Sequence, residues 1–100
     1  MTATILVIDD SEDDQRLYQR ALKDCDCSLE MFSTAEAGLA RVADNSPHMK
    51  RPDLILLDYN LPDMDGLGFM KKMAGYPDAI PIVILTGEGS VEMAVEVMKH

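Results

Sequence analysis

Three uninterrupted aliphatic runs constrain this chain more than any other feature: Ile5-Leu6-Val7-Ile8, Leu54-Ile55-Leu56-Leu57 and Ile82-Val83-Ile84-Leu85. A strand with one wet face alternates apolar and polar residues. A run apolar at every position suits a strand covered on both faces, as in a parallel sheet flanked by helices. Segments of helical spacing separate the runs. Ser11, with Asp14 three residues on, makes a start resembling a capping box for a helix carrying Leu17, Tyr18, Ala21 and Leu22. Leu29 to Phe32 reads as a second, weaker strand, interrupted by Ser28 and Glu30. Ser33 with Glu36 forms a capping box, and Ala35, Leu39 and Val42 share one helix face. Residues Asp44 to Pro52 form a polar, proline-bounded loop. Asp58 to Gly66, with Pro62 and Gly66 inside it, cannot be regular structure. Leu67, Met70, Met73 and Ala74 mark a third helix ended by Gly75 and Pro77. Pro81 leads into the fourth strand. Thr86-Gly87-Glu88-Gly89 is a tight loop, and Ser90 can cap a last helix with Val91, Ala94, Val95 and Met98 on one side. The pattern is β-α-β-α-β-α-β-α, an α/β chain with a parallel sheet.

One hundred residues make one small domain, and 47% apolar residues are enough for a globular core. A net charge of −9 argues against direct binding of nucleic acid, which needs clustered Lys and Arg. No run approaches the roughly 18 apolar residues that span a bilayer. The amino terminus lacks the basic region of a signal peptide, so a cytoplasmic protein with no membrane partner is expected. Cys25 and Cys27 lie too close together for a disulfide framework. His48 and His100 are isolated, so two free thiols are expected rather than a zinc site.

Three strands end in polar, reactive residues: Asp9-Asp10 after the first, Asp58 after the third and Thr86 after the fourth. In open α/β sheets, ligands bind beyond the carboxyl ends of the strands, where the strand order reverses. In a flavodoxin-like order that point lies between the first and third strands, so Asp9, Asp10 and Asp58 are expected to share one crevice. Singly, each acid is as readily a helix cap or a turn residue. Together at about 4 Å, each like-charged pair would cost on the order of 4 kcal/mol at an effective dielectric of about 20. Such a cluster calls for a cation, and hard oxygen ligands favour Mg²⁺ or Mn²⁺. A carboxylate beside that ion is either a ligand or the nucleophile that takes a phosphoryl group. Thr86 supplies a hydroxyl at the same edge, and Gly87 allows close backbone approach.

Over nearly its whole length the sequence resembles the receiver domains of bacterial response regulators. The resemblance rests on Asp9-Asp10 after Ile-Leu-Val-Ile, on Pro52-Asp53-Leu54-Ile55-Leu56-Leu57-Asp58, on Leu61-Pro62-Asp63-Met64-Asp65-Gly66 and on Pro81-Ile82-Val83-Ile84-Leu85-Thr86-Gly87. It implies a two-component signalling switch, not a turnover enzyme. Asp58 would be the phosphoacceptor, with a histidine kinase or phosphotransfer protein as donor. The metal would be held by Asp10, Asp58 and the main-chain carbonyl of Asn60, with Asp9 acting mostly through water. Thr86 would contact the phosphoryl group and move inward, while Asn60 and Glu88 would tune its lifetime. The downstream output is unreadable.

The resemblance also implies a fifth strand, a lysine at its end, an aromatic switch residue and a fifth helix, yet the sequence stops at His100. None of Lys50, Lys71, Lys72 or Lys99 takes the lysine's role. The expectation is one receiver domain over residues 1–100, incomplete at its carboxyl end, as a fragment of a longer regulator. The edge of the fourth strand would then be open to pairing with another chain, so self-association is expected. A calcium loop at Asp63-Met64-Asp65-Gly66 fails because Leu61 and Lys72 fall where acids are required. A haloacid-dehalogenase-type phosphatase fails at Asn60. A receiver-like module that only binds proteins remains the alternative.

Overall fold

A computed structural model describes residues 2–76 and 80–85. The described elements run β1 (Ala3–Ile8), α1 (Glu12–Ala21), β2 (Cys27–Phe32), α2 (Ala35–Ala43), β3 (Leu54–Asp58), α3 (Gly66–Met73) and β4 (Ile82–Leu85). All three strand pairings are parallel, and the order across the sheet is β2-β1-β3-β4. The chain therefore leaves β1 toward one side and returns to its other side for β3, giving the expected flavodoxin-like α/β topology. The expected fourth helix from Ser90, together with Thr86, Gly87 and Glu88, lies outside the described residues. No helix among the described residues is long and apolar enough to cross a membrane.

The two-residue repeat of a strand sends neighbouring side chains to opposite faces. Ile5, Val7 and Leu56 meet Tyr18 and Leu22 from the α1 side. Leu6, Ile8, Ile55 and Leu57 meet Ala35 and Leu39 near α2, and Phe69 and Met73 of α3. Helices thus cover both faces, which is why the runs in β1 and β3 are apolar throughout. Gly38 lets α2 approach β1 closely, since a Cβ there would lie 2.9 Å from Ile8 Cγ1.

Two expectations about helices need correction. The α2 N-cap is Thr34, not Ser33: Thr34 Oγ1 accepts the Ala37 N–H at 3.2 Å. In α3 the buried residues are Gly66, Phe69 and Met73, while Leu67 is 58% and Met70 40% exposed. Phe69 and Met73 are one turn apart, and their stripe is the one the sheet covers. Of the predicted face, Met73 alone is buried.

The amino end of α2 is closed from a distance. Asp63, in the loop before α3, accepts the Ala35 N–H at 3.0 Å and the Glu36 N–H at 2.9 Å. With Thr34, this satisfies donors that a helix leaves free at its start. At the other end of α2, the buried Arg41 donates to both oxygens of Glu30, at 2.8 and 3.1 Å, and to the Lys50 carbonyl at 2.6 Å. These bonds hold α2 to β2 and to the loop that follows the helix.

Candidate functional site

Asp9 follows β1 and Asp58 ends β3, the two strands at which the chain reverses its direction across the sheet. Asp9 is held by its backbone, whose N–H donates to Phe32 O at 2.9 Å, and its carbonyl accepts Gln15 Nε2 at 2.6 Å. The residue is only 2% exposed, and its side chain accepts the Ser11 N–H at 2.9 Å. That bond corrects half of the expected capping box. Ser11 Oγ does accept the Asp14 N–H, at 3.2 Å, but Asp9 takes the Ser11 N–H that Asp14 would have bound. Asp10 is exposed beside it, and Asp58 is partly buried.

Each of Asp9, Asp10 and Asp58 places a carboxylate oxygen within 4.8 Å of those of the other two. The electrostatics register the crowding. Burial pushes Asp9 up from 3.8 to about 7, and the carboxylates of Asp14 and Asp58 add to the rise against the opposing Ser11 N–H. Asp58 is also raised, first by burial and then by Asp10 and Asp14, with the Asn60 N–H acting the other way. That N–H lies 3.3 Å from Asp58 Oδ1. Asp14 is the neighbour that sequence reading missed. Its place in the first turn of α1, directly after Glu12 and Asp13, was the available signal, masked by its reading as the cap partner of Ser11.

The remaining acids of the neighbouring loops have structural employment. Asp65 caps α3 by accepting the Gly68 N–H at 2.7 Å, Asp63 caps α2, and Asp53 accepts the Thr4 N–H at 2.8 Å. Asp9 is turned partly to such work through Ser11. Asp58 accepts the Asn60 N–H of its own loop at 3.3 Å but, among the described residues, caps no helix. Around Asp58 the loop is closed by the Gly66 N–H donating to Tyr59 O at 3.0 Å and by a bridge between Asn60 and Asp65. Gly66 is needed there, because a Cβ would come within 2.7 Å of the Tyr59 ring. The Tyr59 N–H donates to Leu85 O at 3.0 Å, so the end of β4 is fastened beside Asp58.

The donor set fits a hard divalent cation: oxygen ligands only, crowded like charges, and a protonation pressure that a bound cation would reverse. Among the sequence-predicted site residues, Asp9, Asp10 and Asp58 come together and Asn60 abuts Asp58. Thr86 lies outside the described residues.

Comparison with known proteins agrees with the fold. The response regulator receiver domain family matches residues 5–100. Regulatory protein LuxO of Vibrio cholerae is 34% identical over 94 residues, which is 94% of this chain and 20% of that protein. The chain thus spans about a fifth of that relative's length. The Mn²⁺-bound form of response regulator Rcp1 superposes with a TM-score of 0.74 at 32% identity, over 98% of this chain and 76% of that one. The phosphorylated cyanobacterial phytochrome response regulator RcpA gives 0.77 at 26% identity, over 100% and 76%.

Proposed function

The chain belongs to the response regulator receiver domain family of two-component signalling, and on that footing we propose that Asp58 accepts a phosphoryl group as an aspartyl phosphate. The observation that carries this reading is the meeting of Asp9, Asp10 and Asp58 at the switch point of the sheet. The donor is a phosphohistidine on a histidine kinase or phosphotransfer protein. A carboxylate oxygen of Asp58 forms the new bond to phosphorus as the bond from phosphorus to the histidine nitrogen breaks. The Asn60 N–H steadies one oxygen of the nucleophile.

Mg²⁺ or Mn²⁺ would be held by Asp10, Asp58 and the main-chain carbonyl of Asn60, with Asp9 acting through water. Support comes from the acid cluster and from the Mn²⁺-bound form of Rcp1. When bound, the cation would neutralise the carboxylates and the charge on the phosphoryl oxygens. Asp9 orders the turn into α1 through Ser11, so the exposed Asp10 is presented at the crevice. Thr86, next after Leu85, is assigned the phosphoryl contact and the inward switch motion. The domain assists its own phosphorylation and dephosphorylation, and its output is a changed protein-binding surface. A second copy pairing along β4, where Val83 is 41% and Ile84 36% exposed, is proposed as a further partner.

The test uses acetyl phosphate as a small donor, with intact mass as the readout. A gain of one phosphoryl group that requires Mg²⁺ and is lost in Asp58→Asn is the expected result. An Asp58→Asn variant that gains the group as readily as wild type would overturn the assignment. A wild type that takes no phosphoryl group, from this donor or from a phosphohistidine protein, would favour the module that only binds proteins.

A further inference from the structure

The turn from α1 to β2 brings the Cys25 backbone N–H and the Cys27 thiol to one carbonyl oxygen, that of Leu22. The Cys25 N–H donates to Leu22 O at 3.1 Å, and Cys27 Sγ donates to the same oxygen at 3.9 Å. The Cys27 N–H in turn donates to Cys25 O at 2.8 Å. A hydrogen bond from residue i+2 to residue i defines a γ-turn. In an extended chain the two Cα atoms would stand roughly 7 Å apart. The γ-turn draws them toward the separation of about 5.5 Å that a disulfide prefers. Both side chains are partly exposed, and both line an open cavity of about 330 Å³ with Leu22, Asp26, Asp53 and Leu54. A small reagent can therefore reach them.

We infer that Cys25 and Cys27 form a modifiable dithiol, which a low-molecular-weight disulfide converts into an intramolecular Cys25–Cys27 disulfide. The Cys25 thiolate attacks one sulfur of the external disulfide, forming a mixed disulfide and releasing one thiolate. Cys27 gives its proton to solvent and attacks the Cys25 sulfur, which releases the second thiolate. Two protein thiols are oxidised and one external disulfide is reduced to two thiols. Burial, followed by the neighbouring Cys25 thiol and the Asp26 carboxylate, pushes the Cys27 thiol up. Less of Cys27 is therefore thiolate, and in the second step its proximity to the Cys25 sulfur offsets that smaller fraction. The pair stands apart from the acid cluster. Cys27 is level with Ala3 at the start of β1, whereas the acids follow Ile8, about 16 Å along the strand. The inference is thus independent of any role for Asp58.

The test exposes the chain to oxidised glutathione, quenches it in acid and reads intact mass. Wild type is expected to lose two hydrogens, to retain no glutathione and to recover with dithiothreitol. Cys27→Ser is expected to keep one glutathione, because its resolving thiol is gone. A wild type that stays reduced, holds glutathione on either cysteine or crosslinks to a second chain would overturn the inference. An unmodified Cys27→Ser would contradict Cys25 as the point of entry.

Discussion

Asp9 is pulled in two directions by its surroundings. Its carboxylate orders the entry to α1 by accepting the Ser11 N–H, yet it is buried against other acids and driven up to about 7. Between the ordinary carboxyl value of 3.8 and about 7, the folded state holds a proton on Asp9 that the unfolded chain releases. Stability of the metal-free protein is therefore fully favoured below that window and falls as pH rises through it. Asp58, also raised, adds to the slope in the same sense. Thermal unfolding followed from pH 4 to pH 8 should show this decline without divalent metal and a flatter profile with Mg²⁺. An equal slope in both conditions would count against a shared metal site. At this scale the three acids were legible because each stands at or just past the end of a buried apolar strand. Asp14 was not, because its position three residues after Ser11 already had a local explanation as a cap partner. Nothing in a linear spacing says that Asp9 takes the Ser11 N–H first.

Helix α2 depends on a side chain from a loop far along the chain. Asp63 accepts two N–H groups at the start of the helix, and those bonds hold its carboxyl below the ordinary range, burial acting against them. Its contribution is present above the ordinary carboxyl value and is lost as pH falls through the lowered one. Asp63→Ala should cost about 0.5–2 kcal/mol in urea unfolding, the range for loss of a helix cap. The loss should shrink in acid, and equal stability of variant and wild type at neutral pH would refute the cap. The elements themselves were readable from apolar runs and helical spacing, and β4 falls at Ile82–Leu85 as its sequence predicts. The details that failed are those set by tertiary contact. Ser33 and Thr34 are equivalent as caps on paper, and the bond to Ala37 chooses Thr34. In α3 either stripe satisfies the period, and contact with the sheet selects Phe69 and Met73 over Leu67 and Met70. The reach of Asp63 across 28 residues has no local signal at all.

Across the whole molecule, the parallel order β2-β1-β3-β4 converts distant segments into one crevice, and this much follows from the alternation of strand and helix. The site could be located because topology fixes where strand ends meet, and the crowding of acids there is what pointed to a divalent cation. At the sheet's other margin, β4 pairs with β3 and, among the described residues, has no strand on its outer side. With Val83 and Ile84 partly exposed there, sedimentation velocity of this 100-residue chain should show a dimer that grows with concentration. A single monomeric species throughout would contradict pairing along that strand. Trapping the acyl phosphate chemically reads out whether Asp58 itself carries the phosphoryl group. Borohydride reduces an acyl phosphate on aspartate to homoserine, which peptide mass mapping can place. After acetyl phosphate and Mg²⁺, homoserine is expected at position 58 and at no other residue. Homoserine at Asp9, Asp10 or Asp14, or none in protein that has gained a phosphoryl group, would contradict it.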